Sequence, residues 1–149
     1  MEVIFRNITN SDIDGCLDIL KEKYSGEQYD FFRGVLLKDI SSFLDKSSPV
    51  TFLVVEKNES IIGFGTFTPT NQNNVYQLIW INISKPEQGK GLGKQLIVEL
   101  ENKIKESNND KFTIVLETDK PVFYEKLGYK TFNKKEGNDL MMKNINKGT

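Results

Sequence analysis

Apolar positions along the chain change their period several times, and each change marks an element. Val3, Phe5 and Ile8 give a short, imperfect strand pattern. Thr9-Asn10-Ser11-Asp12 supplies N-cap candidates, because a short polar side chain there accepts a bond from an otherwise unpaired helix N–H. Ile13, Leu17, Leu20 and Tyr24 then repeat at helical spacing, with Cys16 beside them as a small buried group. Ser25-Gly26 ends that run, and Phe32, Leu36, Ile40 and Phe43 form the inner face of a second helix. Beyond Pro49 the period shortens. Val50 to Glu56 reads as a strand, Asn58-Glu59 as a hairpin turn, and Ile61 to Thr68 as the returning strand. Gly63 and Gly65 share one face of that strand, which predicts close approach by a neighbour or a ligand. The polar loop Pro69 to Asn74 leads into Val75 to Ile83. That run is apolar on both faces, as a strand covered on both sides should be.

The later half alternates helices and strands. Leu92, Leu96, Leu100 and Ile104 form one helical face, flanked by Ile97, and Ser107-Asn108-Asn109-Asp110 ends the helix. Phe112 to Glu117 is a strand. Asp119 or Lys120 caps a short helix, Pro121 to Leu127, that closes at Gly128. Tyr129 to Phe132 and Leu140 to Lys143 read as the last two strands, joined by a charged hairpin, Lys134 to Asp139. Asn144 to Thr149 reads as a frayed tail.

The candidate chemistry sits between the central strand and the helix after it. Gln88-Gly89-Lys90-Gly91-Leu92-Gly93-Lys94 holds three glycines in five residues. Glycine admits positive φ and lets a ligand approach the backbone. A helix N-terminus adds unpaired N–H groups and the positive end of the helix dipole. Together they make a seat for a phosphate or pyrophosphate. A P-loop would need glycine where Lys94 stands, then Lys and Ser or Thr. A dinucleotide fingerprint would need G-x-G-x-x-G in the first strand–helix unit. Neither spacing is present.

Composition removes other classes. At 149 residues, 38% hydrophobic and 28% charged, the chain suits one globular domain over residues 1–149. A net charge of −1 gives no electrostatic case for nucleic-acid binding. No apolar run approaches the ~20 residues of a membrane span, and Met1 to Arg6 does not resemble a secretory leader. A single cysteine fits a reducing, cytoplasmic setting. There are no histidines, so the commonest general base and metal ligand is missing; no metal is expected.

Gln88, Gly91 and Gly93 form Gln-x-x-Gly-x-Gly, which resembles the acyl-CoA-binding motif of the GCN5-related N-acetyltransferase (GNAT) superfamily. Phe123-Tyr124-Glu125-Lys126-Leu127-Gly128-Tyr129 is similar to a second motif of that family, at about the expected separation. The resemblance is most specific from Ile79 to Phe132. It implies an α/β fold with a mixed central sheet of about seven strands and helices on both faces. It also implies acetyl-CoA as co-substrate and a primary amine as acceptor, joined by direct attack in a ternary complex.

Residue by residue, the resemblance places Ile81, Ile83, Gln88, Gly89, Lys90, Gly91, Leu92, Gly93 and Lys94 at the cofactor, with the Ile83 N–H as oxyanion donor. It makes Tyr124 the general acid, and Glu22, Glu27, Tyr29 and Asp30 candidates for contact with the amine. The central strand of the family ends in a bulge and splays from the next strand. Gln77 stands where some members carry a glutamate base, so deprotonation is expected through water to Glu117 or to an acidic residue of the first two helices. Glu117 in turn stands near a usual asparagine, and Lys120 replaces a usual alanine. These departures keep open an acyl-CoA-binding regulatory module without catalysis. A nucleotide- or phosphate-binding domain of another fold also stays open. Dimerisation is common in such folds.

Overall fold

A computed structural model describes residues 2–46, 51–107 and 111–146. Among them, seven strands make one sheet in the order β1-β2-β3-β4-β5-β7-β6. The strands are β1 (Val3–Asn7), β2 (Thr51–Lys57), β3 (Ser60–Pro69), β4 (Val75–Ile83), β5 (Lys111–Thr118), β6 (Lys130–Lys135) and β7 (Asn138–Asn146). The helices are α1 (Ile13–Lys23), α2 (Gly26–Leu44), α3 (Leu92–Ser107) and α4 (Pro121–Glu125). All strand pairs are antiparallel except β4 with β5. The mixed sheet with helices on both faces is therefore as expected.

Alternation along the strands makes two cores. Leu53, Val55, Leu78, Ile114 and Leu116 pack with Leu96, Ile97, Leu100 and Ile104 of α3 and with Tyr124 of α4. Phe52, Val54 and Phe64 face the other way, against Cys16, Leu17 and Leu20 of α1 and Leu36 and Ile40 of α2. Cys16 is fully buried, and that burial pushes its thiol up to about 12. It is an inert core group, since the thiolate is the reactive form.

The turns follow the local signals. Asn58 and Glu59 both have positive φ, 52° and 65°, and close the β2–β3 hairpin in the primed geometry that suits strand twist. Thr9 and Asp12 form a capping box: the Thr9 N–H donates to Asp12 Oδ2 at 2.8 Å. After α4, Gly128 N–H bonds Glu125 C=O and Tyr129 N–H bonds Tyr124 C=O, a Schellman closure. Two expectations change. Asn144 to Asn146 are not frayed, because they pair with Thr113, Phe112 and Lys111 inside the sheet. The helix-ending residues 108–110, together with Pro49, Val50 and 147–149, lie outside the described residues.

Asp12 ties the first turn to the sheet. Arg6 on β1 grips both its carboxylate oxygens, at 2.7 and 2.8 Å, and reaches Glu56 on β2 at 2.7 Å. The Arg6 hydrogen bonds hold the Asp12 carboxyl below its ordinary value of 3.8. A depressed folded-state pKa contributes stability that is present above the unfolded value and lost as pH falls through the folded one. The unfolding midpoint is therefore expected to drop below about pH 4. In Asp12→Asn that acid-limb loss should shrink, and the variant should already be weaker at pH 7. An unchanged acid limb in the variant would assign the loss to other carboxylates.

Candidate functional site

The site begins with a fault in β4. Thr66 pairs with Ile79 and Phe64 with Asn82, so Trp80 and Ile81 together oppose Gly65 alone. Trp80 takes φ +61° within this bulge. Before the bulge Leu78 faces the α3 core; after it Ile81 and Ile83 do. The bulge thus resets which residues face which way. Methyl groups at Gly65 and Gly63 would meet the Ile81 and Ile83 side chains at 2.8 and 2.6 Å. Neighbouring side chains, not a ligand, account for those two glycines.

Past the bulge, β4 loses its second neighbour. β4 pairs with β5 only from Val75–Gln77 to Thr113–Val115, and the two strands then part. Ser84 N–H donates to Ile62 C=O at 2.8 Å. Antiparallel alternation then turns the N–H and C=O of Ile83, and of Ile81 two residues earlier, toward the opening. Gln88 Nε2 donates to Ile83 C=O at 2.9 Å, which sets the following turn against the end of the strand.

That turn is open to an anion. A short 3₁₀ turn, Lys85–Glu87, precedes Gln88. Gly89 and Gly91 have φ +81° and +83°, and a Cβ on either would meet no atom within 4 Å. Positive φ, not crowding by the protein, explains these glycines. Gln95 N–H makes the first α3 bond, to Gly91 C=O. Among the described residues, the N–H groups of 89–94 donate to no protein acceptor. Leu92 is buried and anchors the helix start. Lys90 reaches Glu87 at 3.1 Å and Lys57 reaches it at 2.7 Å. These hydrogen bonds, Lys57 first, hold the Glu87 carboxyl below its ordinary value. Lys94 is exposed and makes no ion pair among the described residues.

Helix α4 closes the other wall. A Cβ at Gly93 would lie 3.4 Å from Phe123 Cζ and 3.8 Å from Ile83 Cγ1. The start of α3, the end of β4 and α4 therefore meet at one point. Tyr124, next to Phe123, is buried edge-on to the Phe123 and Tyr129 rings. Its hydroxyl has no protein partner among the described residues. Burial, then the charge of Asp119, pushes this phenol up to about 12.

A model described as the acetyltransferase (GNAT) family matches residues 13–129. The chain belongs to the GNAT family. Two curated relatives are N-acetyltransferases by name: the uncharacterized N-acetyltransferase ycf52 of Pyropia yezoensis and that of Porphyra purpurea. The first is 33% identical over 96 residues, 62% of this chain and 54% of the relative. The second is 32% identical over 88 residues, 56% of this chain and 49% of the relative. The chain thus spans about half the length of the curated relatives it matches. The PaiA N-acetyltransferase of Thermoplasma acidophilum, solved in complex with coenzyme A, superposes with TM-score 0.78. It is 18% identical, with 97% of this chain and all of that one covered. An aminoglycoside 6′-acetyltransferase type Ii superposes at 0.75, with 19% identity and 97% of each chain covered. At such identities these structures establish the GNAT fold alone.

Within that GNAT fold the expected residues divide. Ile83, Gln88 and the turn 89–94 come together at the opening with Ile81 on the same strand edge, and Tyr124 lies on α4, one residue beyond the Phe123 that borders Gly93. Glu117 does not join them: Leu116 faces the α3 core, so Glu117 faces the other side of the sheet. There Lys135 Nζ and Asn138 Nδ2 reach it, at 3.3 and 3.2 Å. Glu22 accepts from Ser84 Oγ at 2.8 Å and from the Lys85 N–H at 2.7 Å. That makes it a strut under the turn. Tyr29 is half-buried with Lys21 over its ring, while Glu27 and Asp30 are exposed. Phe123 and Trp80 are wall and bulge residues whose roles the sequence did not reveal. Among the described residues no His, Cys, Asp or Glu group is arranged to hold a metal. No helix there is long and apolar enough to cross a membrane.

Proposed function

We propose that this GNAT chain moves the acetyl group of acetyl-CoA to a primary amine within a ternary complex. The observation that carries this is the meeting, among the described residues, of the unbonded N–H groups of 89–94 with the splayed edge of β4 and the start of α4. The residues fit the ligand: the turn has no Cβ in its way and its donors are unspent. When bound, acetyl-CoA supplies a thioester carbon open to attack. The turn and Lys94 hold the pyrophosphate. The Ile81 and Ile83 edge groups pair with the amide-bearing pantetheine arm as an added strand would. The Ile83 N–H donates to the oxygen that becomes negative during attack. Tyr124 donates to the leaving sulfur from the α3 face. On the opposite face Glu117 accepts the amine proton through water, and Glu27 and Asp30 attract the cationic acceptor.

Thermal melts test the cofactor. Acetyl-CoA at 100 times its dissociation constant should stabilise the protein by about 2.7 kcal/mol, a rise of roughly 5–10 °C for this size. Gly91→Glu should abolish the rise, because it sets a carboxylate and a strained φ at the anion seat. No rise with acetyl-CoA or CoA in the wild type would refute the proposal. A regulatory module that binds acyl-CoA without catalysis is the alternative, favoured by Gln77 and by the ion pair that occupies Glu117. Wild-type binding with no CoA release across an amine panel would select it.

A further inference from the structure

Five non-glycine residues in the described structure have positive φ, and four of them, Lys46, Asn58, Glu59 and Asn74, sit in turns. Trp80 is the fifth, and it sits inside a strand. A bulky aromatic residue pays in strain for that conformation and keeps it only where its surroundings over-determine it. The surroundings are specific. The Trp80 indole Nε1–H donates to Asp39 Oδ2 at 2.7 Å, across 41 positions of sequence. Asp39 is half-buried on α2 and makes no ion pair among the described residues. A charged acceptor makes this a strong bond. Phe32, also on α2, meets the indole edge-on at 6.3 Å.

From this we infer that Asp39 is a positioning residue for the thioester end of the cofactor, a role that rests on the acetyl-CoA reading above. Asp39 holds the indole, the indole holds Trp80 in its left-handed conformation, and that conformation is the bulge. The bulge decides that Ile81 and Ile83, and not their neighbours, turn their N–H groups to the opening. Without the clamp the strand can relax toward regular pairing, which would turn those donors toward β3. The anion seat at 89–94 has an anchor of its own in Glu22, which holds Ser84 and Lys85 and touches neither Asp39 nor Trp80.

The two ends of the cofactor therefore respond differently. Adenosine 3′,5′-bisphosphate carries the nucleotide end without the pantetheine arm. In Asp39→Leu, acetyl-CoA affinity should fall about tenfold, the worth of one well-placed hydrogen bond, while bisphosphate affinity stays within about twofold of wild type. Asp39→Asn keeps an acceptor oxygen for the indole and should recover most of the loss. Trp80→Phe keeps the ring but lacks the donor; it should match Asp39→Leu, and the double variant should lose no more than either single one. Trp80 is the sole tryptophan, so its single indole N–H resonance reports the clamp directly. That resonance should move upfield in Asp39→Leu and move when wild type takes up acetyl-CoA. Equal losses for both ligands, additive losses in the double variant, or unchanged acetyl-CoA affinity in Asp39→Leu would overturn the clamp alone. A wild type that binds neither ligand would overturn the acetyl-CoA reading and the clamp's role with it.

Discussion

Tyr124→Phe should lower acetyl transfer about 100-fold, close to 2.7 kcal/mol in the barrier, and leave acetyl-CoA affinity within about twofold. The hydroxyl has no protein partner among the described residues, so its removal disturbs no bond of the fold. The phenol, at about 12, is a weaker acid than the sequence suggests. A thiolate of ordinary pKa, about 8.5, would not take its proton readily. In the proposed reaction the hydroxyl therefore serves mainly as a donor to the sulfur as charge collects there. The pH profile follows. With the phenol protonated to about 12, wild-type turnover should climb as the acceptor amine loses its proton and show no fall from Tyr124 below about pH 10. A kcat within threefold of wild type in Tyr124→Phe would assign the proton to solvent instead.

The largest stability loss is expected at Lys143. Glu101 on α3 is 5% exposed. It accepts from Tyr129 Oη at 2.8 Å and from Lys143 Nζ at 3.1 and 3.2 Å. Lys143 also lies 5.4 Å from the Tyr129 ring centre. Burial, then the Glu101 charge, drives the Tyr129 phenol upward, so it remains a donor to the carboxylate at any working pH. Lys143→Met would strand the Glu101 charge with one neutral partner. Breaking such a pair costs about 3–5 kcal/mol when fully buried. The lysine is 26% exposed, so about 3 kcal/mol is the better figure, or roughly 6–12 °C in the midpoint. Lys90→Met, at the exposed end of its ion pair with Glu87, should move the midpoint by no more than about 1–2 °C. Equal shifts for the two variants would show that Glu101 is hydrated in solution.

Legibility in the sequence followed range. The hairpin at Asn58-Glu59, the Gly128 closure and the glycine turn before α3 are set by residues a few positions apart, and each was readable. The bulge at Trp80 was expected only by family resemblance, since Val75 to Ile83 reads as unbroken apolar strand. Its cause, Asp39, lies on another element. Glu22 looked like a free carboxylate for the acceptor because its partners, Ser84 and Lys85, are more than sixty residues away. The family resemblance sets Glu117 near the chemistry, but which face it occupies depends on strand alternation. Its partners, Lys135 and Asn138, lie on the β6–β7 hairpin and reach it only once β7 pairs with β5. Gly63 and Gly65 signalled crowding correctly without naming the isoleucines that cause it.

The sheet order has a consequence for synthesis. β7 is made last of the seven strands yet lies between β5 and β6. β5 ends at Thr118 and β7 begins at Asn138. At ribosomal speeds of about 5–20 residues per second, β5 waits on the order of a second or more with one edge bare. For that interval Glu101 also lacks Lys143, so α3 cannot settle onto β5 with its carboxylate neutralised. The nascent chain can make its anion turn early, but the wall that holds Tyr124 locks only when the final strand slides into the gap.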